Sequence, residues 1–277
     1  MRWTPRGRSR NLEDRRGSRG LGGPVGIGGG LITLLLVLLF GPGILEQTGE
    51  VPYGESPGAV GLSPADSAAE EPMVRFVSFL LDDIQETWAG AFQQAGVAYQ
   101  PARLVLYRQG TQTGCGVGQA AMGPFYCPLD ERVYLDLSFF EDLDRNFGAP
   151  GDFAQAYVIA HELGHHVQHL QGLDEEMRSL QRAYPGQANE YSVRHELQAD
   201  CYAGVWGHWA AQRGHLEPGD IEEGLGAASA VGDDRIQRRT QGRVDLESFT
   251  HGSAQQRSSA FRRGFESGQP SACSSSR

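Results

Sequence analysis

The stretch that decides the fold is residues 152–172, which read DFAQAYVIAHELGHHVQHLQG. It lacks proline, carries mostly apolar residues through its first half, and ends at a glycine. Asp152 and Gln155 have the spacing of a capping box, so the sequence predicts one α-helix that begins near Asp152 and closes at Gly172. Residues 161–165 of this helix spell H-E-x-x-H. We expect the rest of the chain to be arranged around it.

The H-E-x-x-H spacing places two imidazoles on one face of a helix. Because an α-helix has 3.6 residues per turn, His161 and His165 lie about one turn apart on the same side and can bind one metal ion. Glu162 lies beside them, where its carboxylate can take a proton from an activated water. An ordinary helix can carry the same letters by chance, in roughly one chain in a hundred. The helical context favours a zinc site of the metalloprotease kind.

A catalytic zinc site needs a third protein ligand, because zinc is tetrahedral and keeps one position for water. His169 continues the same helical stripe, but it lies about 12 Å along the axis from His161, which is too far for one ion. In the metzincin arrangement a glycine and a third histidine follow the motif, whereas this chain has Gln168 and Gln171 there. The third ligand must therefore come from another part of the chain.

A second predicted helix, residues 189–214, offers that ligand. Glu196 and Asp200 are four residues apart and share a face. We expect Glu196 to bind the zinc ion and Asp200 to accept the second N–H of a ligand histidine, which fixes the orientation of the ring. An E-x-x-x-D pair is common on solvated helices, so this prediction depends on the upstream motif. His195 points about 100° away from Glu196 and would be a ligand only if the helix were rotated.

The other histidines are expected to lie on the surface or to contact a ligand without binding metal. They are His166, His208, His215 and His251.

These motifs belong to a longer likeness. The chain resembles the neutral zinc metallopeptidase family of bacterial membrane-anchored proteins over nearly all of its length after residue 72. The segments that carry the resemblance are YQPARLVLYRQGTQTGCGVGQAAMGPFYCP (99–128), VYLDLSFF (133–140), FGAPGDFAQAYVIAHELGHHVQ (147–168), ELQADCYAGVW (196–206) and HGSAQQRSSAFRRGFESG (251–268). The resemblance implies a gluzincin-like site in which His161, His165 and Glu196 bind Zn2+ and Glu162 is the general base.

Charge divides the chain into two unlike parts. Residues 1–20 hold seven arginines and two acidic residues, whereas residues 46–277 carry a net charge of −15. Between them, residues 21–45 carry no charge and contain the apolar run LITLLLVLLF at 31–40. A helix of that length can cross a bilayer of about 30 Å. The sequence predicts a single transmembrane helix at 21–45.

Arginines collect on the cytoplasmic side of a span, so we expect residues 1–20 in the cytoplasm and the large domain outside it, in the bacterial cytoplasmic membrane. A cleaved secretory signal is the alternative, but no small-residue cleavage site directly follows the apolar core. Both interpretations place the catalytic part outside the cytoplasm.

The remaining organisation follows from composition and periodicity. Residues 46–71 are rich in glycine, proline, serine and acids and are expected to form a flexible linker. Residues 72–277 are expected to form an extracytoplasmic α+β domain, a mostly helical zincin-like metallopeptidase domain with a small β-sheet. Short strands are predicted at 104–108 and 133–137. The second, just before the motif helix, is either a cleft rim whose edge could pair with an extended peptide or a strand buried in a small sheet with no substrate role.

Four cysteines allow three pairings, and oxidised pairs are expected outside the cytoplasm. We favour Cys115 with Cys127 and Cys201 with Cys273 as structural disulfides. Free thiols or a cysteine ligand are the alternatives, although the absence of C-x-x-C disfavours a structural zinc knuckle.

The expected function is a membrane-anchored zinc metallopeptidase that acts on a peptide or protein substrate and contacts the lipid bilayer through its N-terminal helix. A second donor to the developing oxyanion is expected, and Tyr191, Tyr202 and His251 are candidates among which the sequence does not choose. A membrane-tethered binding or assembly factor with a structural or inactive zinc site is the alternative. Nucleic acid is not expected as a partner, because the acidic domain repels phosphate.

Overall fold

Helices dominate the computed structural model, which describes residues 1–5, 7–17 and 64–274. The helices are α1 (Pro64–Gln94), α2 (Ser138–Arg145), α3 (Asp152–Leu170), α4 (Leu173–Ala183), α5 (Ala188–Gln212), α6 (Asp220–Ala230), α7 (Asp233–Gln241) and α8 (Ala254–Ser267). The strands are β1 (Leu12–Asp14), β2 (Arg103–Tyr107), β3 (Gly110–Thr113), β4 (Gly116–Gln119), β5 (Phe125–Cys127) and β6 (Arg132–Asp136). This is the mostly helical α+β architecture that the sequence predicts.

The motif helix α3 lies at the centre of the domain, where it contacts α1, α5 and α6 and the strands β5 and β6. Its apolar residues face several directions, as expected of a helix that is buried on most sides. Gly172 follows the helix in a left-handed conformation, as predicted. The predicted capping box is wrong, however: Gly151 is the N-cap, and the Phe153 N–H of the first turn donates to Glu223 of α6. The Asp152 carboxylate is instead bonded to the amino group of Met1.

Helices α5 and α8 cross with their backbones in contact. A methyl group on Gly204 of α5 would overlap the carbonyl oxygen of Phe261, and one on Gly264 of α8 would overlap the carbonyl oxygen of Cys201. Only glycine lets two helices approach this closely. The crossing holds α8 firmly against the helix that carries Glu196 and Asp200.

The main sheet has the strand order β1-β2-β6-β5, with β1, β2 and β6 parallel and β5 antiparallel to β6. Four consecutive residues of β2 and four of β6 are buried, because both faces of these strands are covered. The predicted rim strand at 133–137 corresponds to β6, which lies inside the sheet. The edge strand on that side is β5, so the edge with which an extended peptide could pair belongs to β5 and not to the predicted strand.

The described part of the chain contains two disulfide bonds. Cys115 is bonded to Cys127 beside the β3-β4 hairpin, and Cys201 of α5 is bonded to Cys273 in a short turn after α8. Both pairs are those that the sequence favours.

Residues 1–5 and 7–17, here called the N-terminal arm, pack against the domain. Strand β1 adds to the sheet beside β2, and the Trp3 ring lies 5.3 Å from that of Phe76 in α1. The Met1 amino nitrogen lies 2.7 Å from Asp152, and Arg16, only 3% exposed, is paired with Asp14 and Glu70. Arg2, Arg8 and Arg16 therefore have carboxylate partners outside the arm, at Glu217, Glu71 and Glu70. That residues 1–20 lie in the cytoplasm stays a prediction.

The predicted span at 21–45 lies outside the described residues and stays a prediction. Within the described ranges, no helix combines the length and the apolar character needed to cross a bilayer. The predicted linker at 46–71 also falls mostly outside them, but its last eight residues belong to α1, which begins at Pro64 and not at residue 72. A proline tolerates the first position of a helix, and the alanines and glutamates that follow favour helix formation.

Candidate metal centre

Three donor atoms from α3 and α5 converge. His161 Nε2 lies 3.2 Å from His165 Nε2 and 3.2 Å from one carboxylate oxygen of Glu196, and His165 Nε2 lies 3.4 Å from the other. These are the three residues that the sequence proposes as metal ligands. Two helices separated by a turn therefore bring the candidate ligands to one point.

The spacing of these atoms fits a tetrahedral zinc ion. Bonds of about 2.0–2.1 Å place the ligand atoms of such an ion roughly 3.3–3.4 Å apart. The observed separations of 3.2–3.4 Å are of this size, with each imidazole next to a different oxygen of the Glu196 carboxylate. Two imidazoles and one carboxylate are also a ligand set found in catalytic zinc sites.

The second nitrogen of each histidine fixes the direction of the free lone pair. His161 Nδ1 lies 2.8 Å from Asp200 Oδ1, and His165 Nδ1 lies 2.8 Å from Gln168 Oε1. Because both partners are acceptors, both Nδ1 atoms carry a proton, and each neutral ring then presents the lone pair of its Nε2 atom. Two imidazole nitrogens and a carboxylate that face one another form a donor set suited to hold a cation between them.

Gln168 is oriented by α5. Its amide nitrogen donates to the His195 carbonyl at 2.7 Å and to Gln198 Oε1 at 2.9 Å, which leaves its oxygen for His165. From the sequence, Gln168 served only to exclude the metzincin arrangement, and no contact with His165 was predicted. Its spacing of three residues from His165 is the signal that could have found this role.

Asp200 is fully buried and contacts two further side chains. The Arg257 guanidinium donates to both of its oxygens, and Tyr157 donates to Oδ1 at 2.5 Å. Burial would raise the pKa of Asp200, but Arg257 and His161 lower it to about 2. The carboxylate is therefore charged when it accepts the His161 proton, as the sequence predicts. Arg257 and Tyr157 were not among the predicted site residues.

Glu162 lies beside the ligand histidines and is 8% exposed. Burial raises its pKa above the ordinary value, although His161 and His165 act in the opposite direction. A buried carboxylate with a raised pKa is a stronger base than one in water, which suits proton transfer near neutral pH.

The three donors and Glu162 line a cleft of about 420 Å³. One wall is the edge strand β5, with Phe125 and Tyr126, and another is α4, with Met177 and Arg178. Tyr126 is held by the motif helix: His166 Nε2 donates to the Gln100 carbonyl, so its Nδ1 accepts from the Tyr126 hydroxyl at 3.0 Å. Because the donors open onto a cleft, a metal ion bound there can reach solvent and substrate.

The structure separates the three oxyanion candidates. His251 lines the cleft, and its Nδ1 lies 3.3 Å from Asp233 and 2.9 Å from the Thr250 hydroxyl. Tyr202 instead packs its ring against Trp88 and donates to Gln171. Tyr191 donates to Gln187 and does not line the cleft.

The other histidines do not bring a donor to the three-atom cluster. His195 Nε2 lies 3.1 Å from Asp174, and its ring stacks on that of His165 with centroids 5.5 Å apart. His169 Nδ1 also contacts Asp174, at 3.0 Å. His166 is completely buried, so the prediction that it lies on the surface or beside a ligand is replaced by its role in holding Tyr126.

Sequence comparisons agree with this geometry. The family model described as "Putative neutral zinc metallopeptidase" matches residues 1–276, a range that includes the N-terminal arm. The uncharacterized protein YpfJ of Escherichia coli (strain K12) is 50% identical over 284 residues, which cover 99% of this chain and 98% of that protein. The uncharacterized protein Rv2575 of Mycobacterium tuberculosis is 46% identical over 186 residues, covering 63% of this chain and 62% of that protein. No solved structure matches the chain.

Proposed function

The chain belongs to the neutral zinc metallopeptidase family, and from that premise we propose that it is a zinc-dependent peptidase whose ion is held by His161, His165 and Glu196. The observation that carries the proposal is the convergence of these three donors, at tetrahedral spacing, in the wall of an open cleft. Glu162 lies beside them, and a purely structural zinc site has no use for such a base.

Each residue has a distinct role in the proposed hydrolysis. A bound zinc ion would act as a Lewis acid and would lower the pKa of a water molecule towards neutrality. Glu162 takes the proton of the attacking water and passes it to the leaving amine. Asp200 and Gln168 hold the two histidine rings with their Nε2 atoms toward the ion.

His251 is the proposed donor to the carbonyl oxygen of the substrate. Asp233 and Thr250 occupy its Nδ1, which leaves Nε2 for the bound peptide. A donor placed where negative charge develops stabilises the transition state more than the ground state.

Strand β5 is the proposed support for the substrate backbone. It is an edge strand of the sheet, and two of its residues, Phe125 and Tyr126, line the cleft. An extended peptide can pair with such an edge through main-chain hydrogen bonds. The bond between Tyr126 and His166 keeps this edge at a constant distance from the motif helix.

We also propose that the domain acts outside the cytoplasm, as the two disulfides support. The alternative function, a membrane-tethered binding or assembly factor with an inactive or structural zinc site, would require a closed coordination shell. In the described ranges the cluster comprises three residues, all of which line the cleft, and this favours the enzyme.

The test compares the full chain with its Glu162→Gln variant. We expect the unaltered protein to digest a peptide library and to stop when a chelator is added. Glu162→Gln should keep its zinc, measured by atomic absorption, and lose roughly 10²- to 10⁴-fold in hydrolysis. The matched control is Glu175→Gln on α4, an exposed glutamate that does not line the cleft. Undiminished cleavage by Glu162→Gln would refute the assigned role.

A further inference from the structure

Arg178 is a cation of the cleft without a hydrogen-bonded partner. It lies on α4 in the cleft wall with its side chain 42% exposed, and its Nε atom is buried with no hydrogen-bond acceptor. Within the described ranges, the one carboxylate close to its guanidinium is that of Asp174, at 3.9 Å. That distance is too long for a hydrogen bond.

Asp174 is already committed to two other side chains. Its Oδ2 lies 3.0 Å from His169 Nδ1, and its Oδ1 lies 3.1 Å from His195 Nε2. Both carboxylate oxygens therefore accept from histidines, and Arg178 is left with a distant share of this charge.

The other basic side chains that line the cleft are not in this position. Arg257 is bonded to Asp200 through two nitrogens, and His251 contacts Asp233. Arg178 thus differs from Arg257: Arg257 stabilises a buried carboxylate of the protein, whereas Arg178 lies in the cleft wall without a hydrogen-bonded carboxylate.

A guanidinium fork matches a carboxylate, to which it can donate two parallel hydrogen bonds. Apolar cleft residues such as Phe125, Phe139 and Met177 cannot satisfy the guanidinium, and by excluding water they strengthen an ion pair formed beside them. A ligand in the cleft that carries a carboxylate can therefore supply the acceptor that the protein does not.

We propose that Arg178 determines substrate specificity and that preferred substrates present a carboxylate close to the scissile bond. This inference rests on the proposed peptidase function. Two sources supply the same chemistry: the side chain of an aspartate or glutamate, and the free carboxylate at the end of a peptide. A simple i,i+4 pair with Asp174 on the helix surface is the structural alternative, but it leaves the buried Nε without an acceptor.

The experiment uses the zinc-loaded full chain and matched quenched peptides. In one arm the C-terminus is amidated and one residue near the scissile bond is Glu, Gln or Lys. In the other arm all side chains are neutral and the C-terminus is free or amidated. We expect kcat/KM to favour the carboxylate form by about 10- to 100-fold in at least one arm, and the arm identifies the source.

For each variant the measured quantity is the ratio of kcat/KM between the paired peptides. A general loss of activity lowers both values and leaves this ratio unchanged. Arg178→Gln should bring the ratio close to one, and Arg178→Glu should reverse it in favour of the Lys peptide. The control is Arg182→Gln, one turn along α4, which is 65% exposed, paired with Glu175 and absent from the cleft wall. It should keep the full ratio. No carboxylate preference in either arm, or a preference that survives Arg178→Gln, would overturn the inference.

A binding measurement separates this inference from the proposed function. Fluorescently labelled forms of the same peptides are titrated with the Glu162→Gln chain, with and without Arg178→Gln. If the unaltered protein cleaves none of the peptides, the proposed function fails. The carboxylate preference is then judged by affinity alone, and equal affinities of the paired peptides would count against Arg178.

Discussion

Arg257 and Asp200 form a buried ion pair with two contacts: Arg257 Nε lies 2.8 Å from Oδ2 of Asp200, and Nη2 lies 2.9 Å from Oδ1. The same aspartate lies 2.8 Å from His161 Nδ1. The orientation of a candidate zinc ligand on α3 therefore depends on an arginine of α8 that is 96 residues away in the chain.

Arg257→Met should test this dependence. The change replaces the arginine by an apolar side chain of similar shape and leaves the Asp200 charge buried without its guanidinium partner. Breaking a buried ion pair in this way costs about 3–5 kcal/mol of folding free energy. Zinc affinity should fall roughly 10- to 100-fold, as for other groups that orient ligands. Urea unfolding and a competitive zinc titration measure the two effects. The exposed Arg262 on the same helix is the control, and equal zinc affinity in Arg257→Met would contradict the argument.

Removal of metal should lower the stability of the domain. Without a cation, two lone pairs and a carboxylate face one another at 3.2–3.4 Å. A ligand that binds only the folded state stabilises it by about 2.7 kcal/mol at 100 times its Kd. We expect the melting temperature to rise with added zinc, to fall with a chelator, and to lose this response in His161→Ala. A melting temperature independent of zinc would argue against a metal site.

Asp233→Asn should disturb the loop that carries His251. One oxygen of Asp233 accepts the backbone N–H groups of Thr250, His251 and Gly252, at 2.8, 2.7 and 3.0 Å. Loss of these charge-assisted bonds should cost roughly 2–3 kcal/mol at pH 7. If His251 donates to the substrate, kcat should fall more than KM rises. Calorimetry and steady-state kinetics provide the readouts, and unchanged kcat would remove His251 from the mechanism.

The same carboxylate should make stability depend on pH. Burial would raise the pKa of Asp233, but His251 and the backbone N–H groups lower it below the ordinary value of 3.8. A group whose folded-state pKa is lowered stabilises the protein above its unfolded-state pKa, and this contribution is lost as the pH falls further. Melting curves from pH 6 to pH 3 should therefore show an acid loss in the unaltered chain that is smaller in Asp233→Asn. Parallel curves would contradict this assignment.

Gly204→Ala and Gly264→Ala should each destabilise the crossing of α5 and α8. The added methyl group would overlap a carbonyl oxygen of the opposite helix, and overpacking of this kind costs about 1–3 kcal/mol. Gly226 in α6 is the matched control, because an added methyl group there meets no atom within 4 Å and alanine is the better helix former. Chemical denaturation should separate the three variants, and a stabilising Gly204→Ala would show that the helices can move apart.

The arm and the domain should lie on the same side of any membrane that the chain contacts. Arg16 of the arm is paired with Glu70 in α1, which a bilayer between the two segments would prevent. Thr4→Cys in the arm and Arg182→Cys in the domain are both exposed positions. With a membrane-impermeant maleimide on intact cells, either both variants or neither should be labelled above the background of the unaltered chain. Labelling of one alone would contradict this expectation and support the single-pass topology predicted from the charge asymmetry.

Local geometry explains what could be predicted. His161 with His165, and Glu196 with Asp200, are each four residues apart, and the pitch of an α-helix alone places both members of such a pair on one face. The edge strand of the sheet and the capping of the motif helix could not be predicted from local geometry. The choice between β5 and β6 as the rim depends on the order of strands in the sheet. The Asp152 carboxylate is bonded to the amino group of Met1, 151 residues earlier in the chain.

The sequence by itself determined the motif helix and the candidate zinc ligands and base, because these follow from helical periodicity and from the small number of chemically suitable side chains. It favoured the two cysteine pairs among three possible pairings. Only the tertiary structure decided that Arg257 and Tyr157 surround Asp200, that His251 rather than Tyr191 or Tyr202 lines the cleft, and that the N-terminal arm joins the sheet. Those contacts join residues far apart in the chain. Their partners are set by the packing of whole helices and strands, which no local pattern encodes.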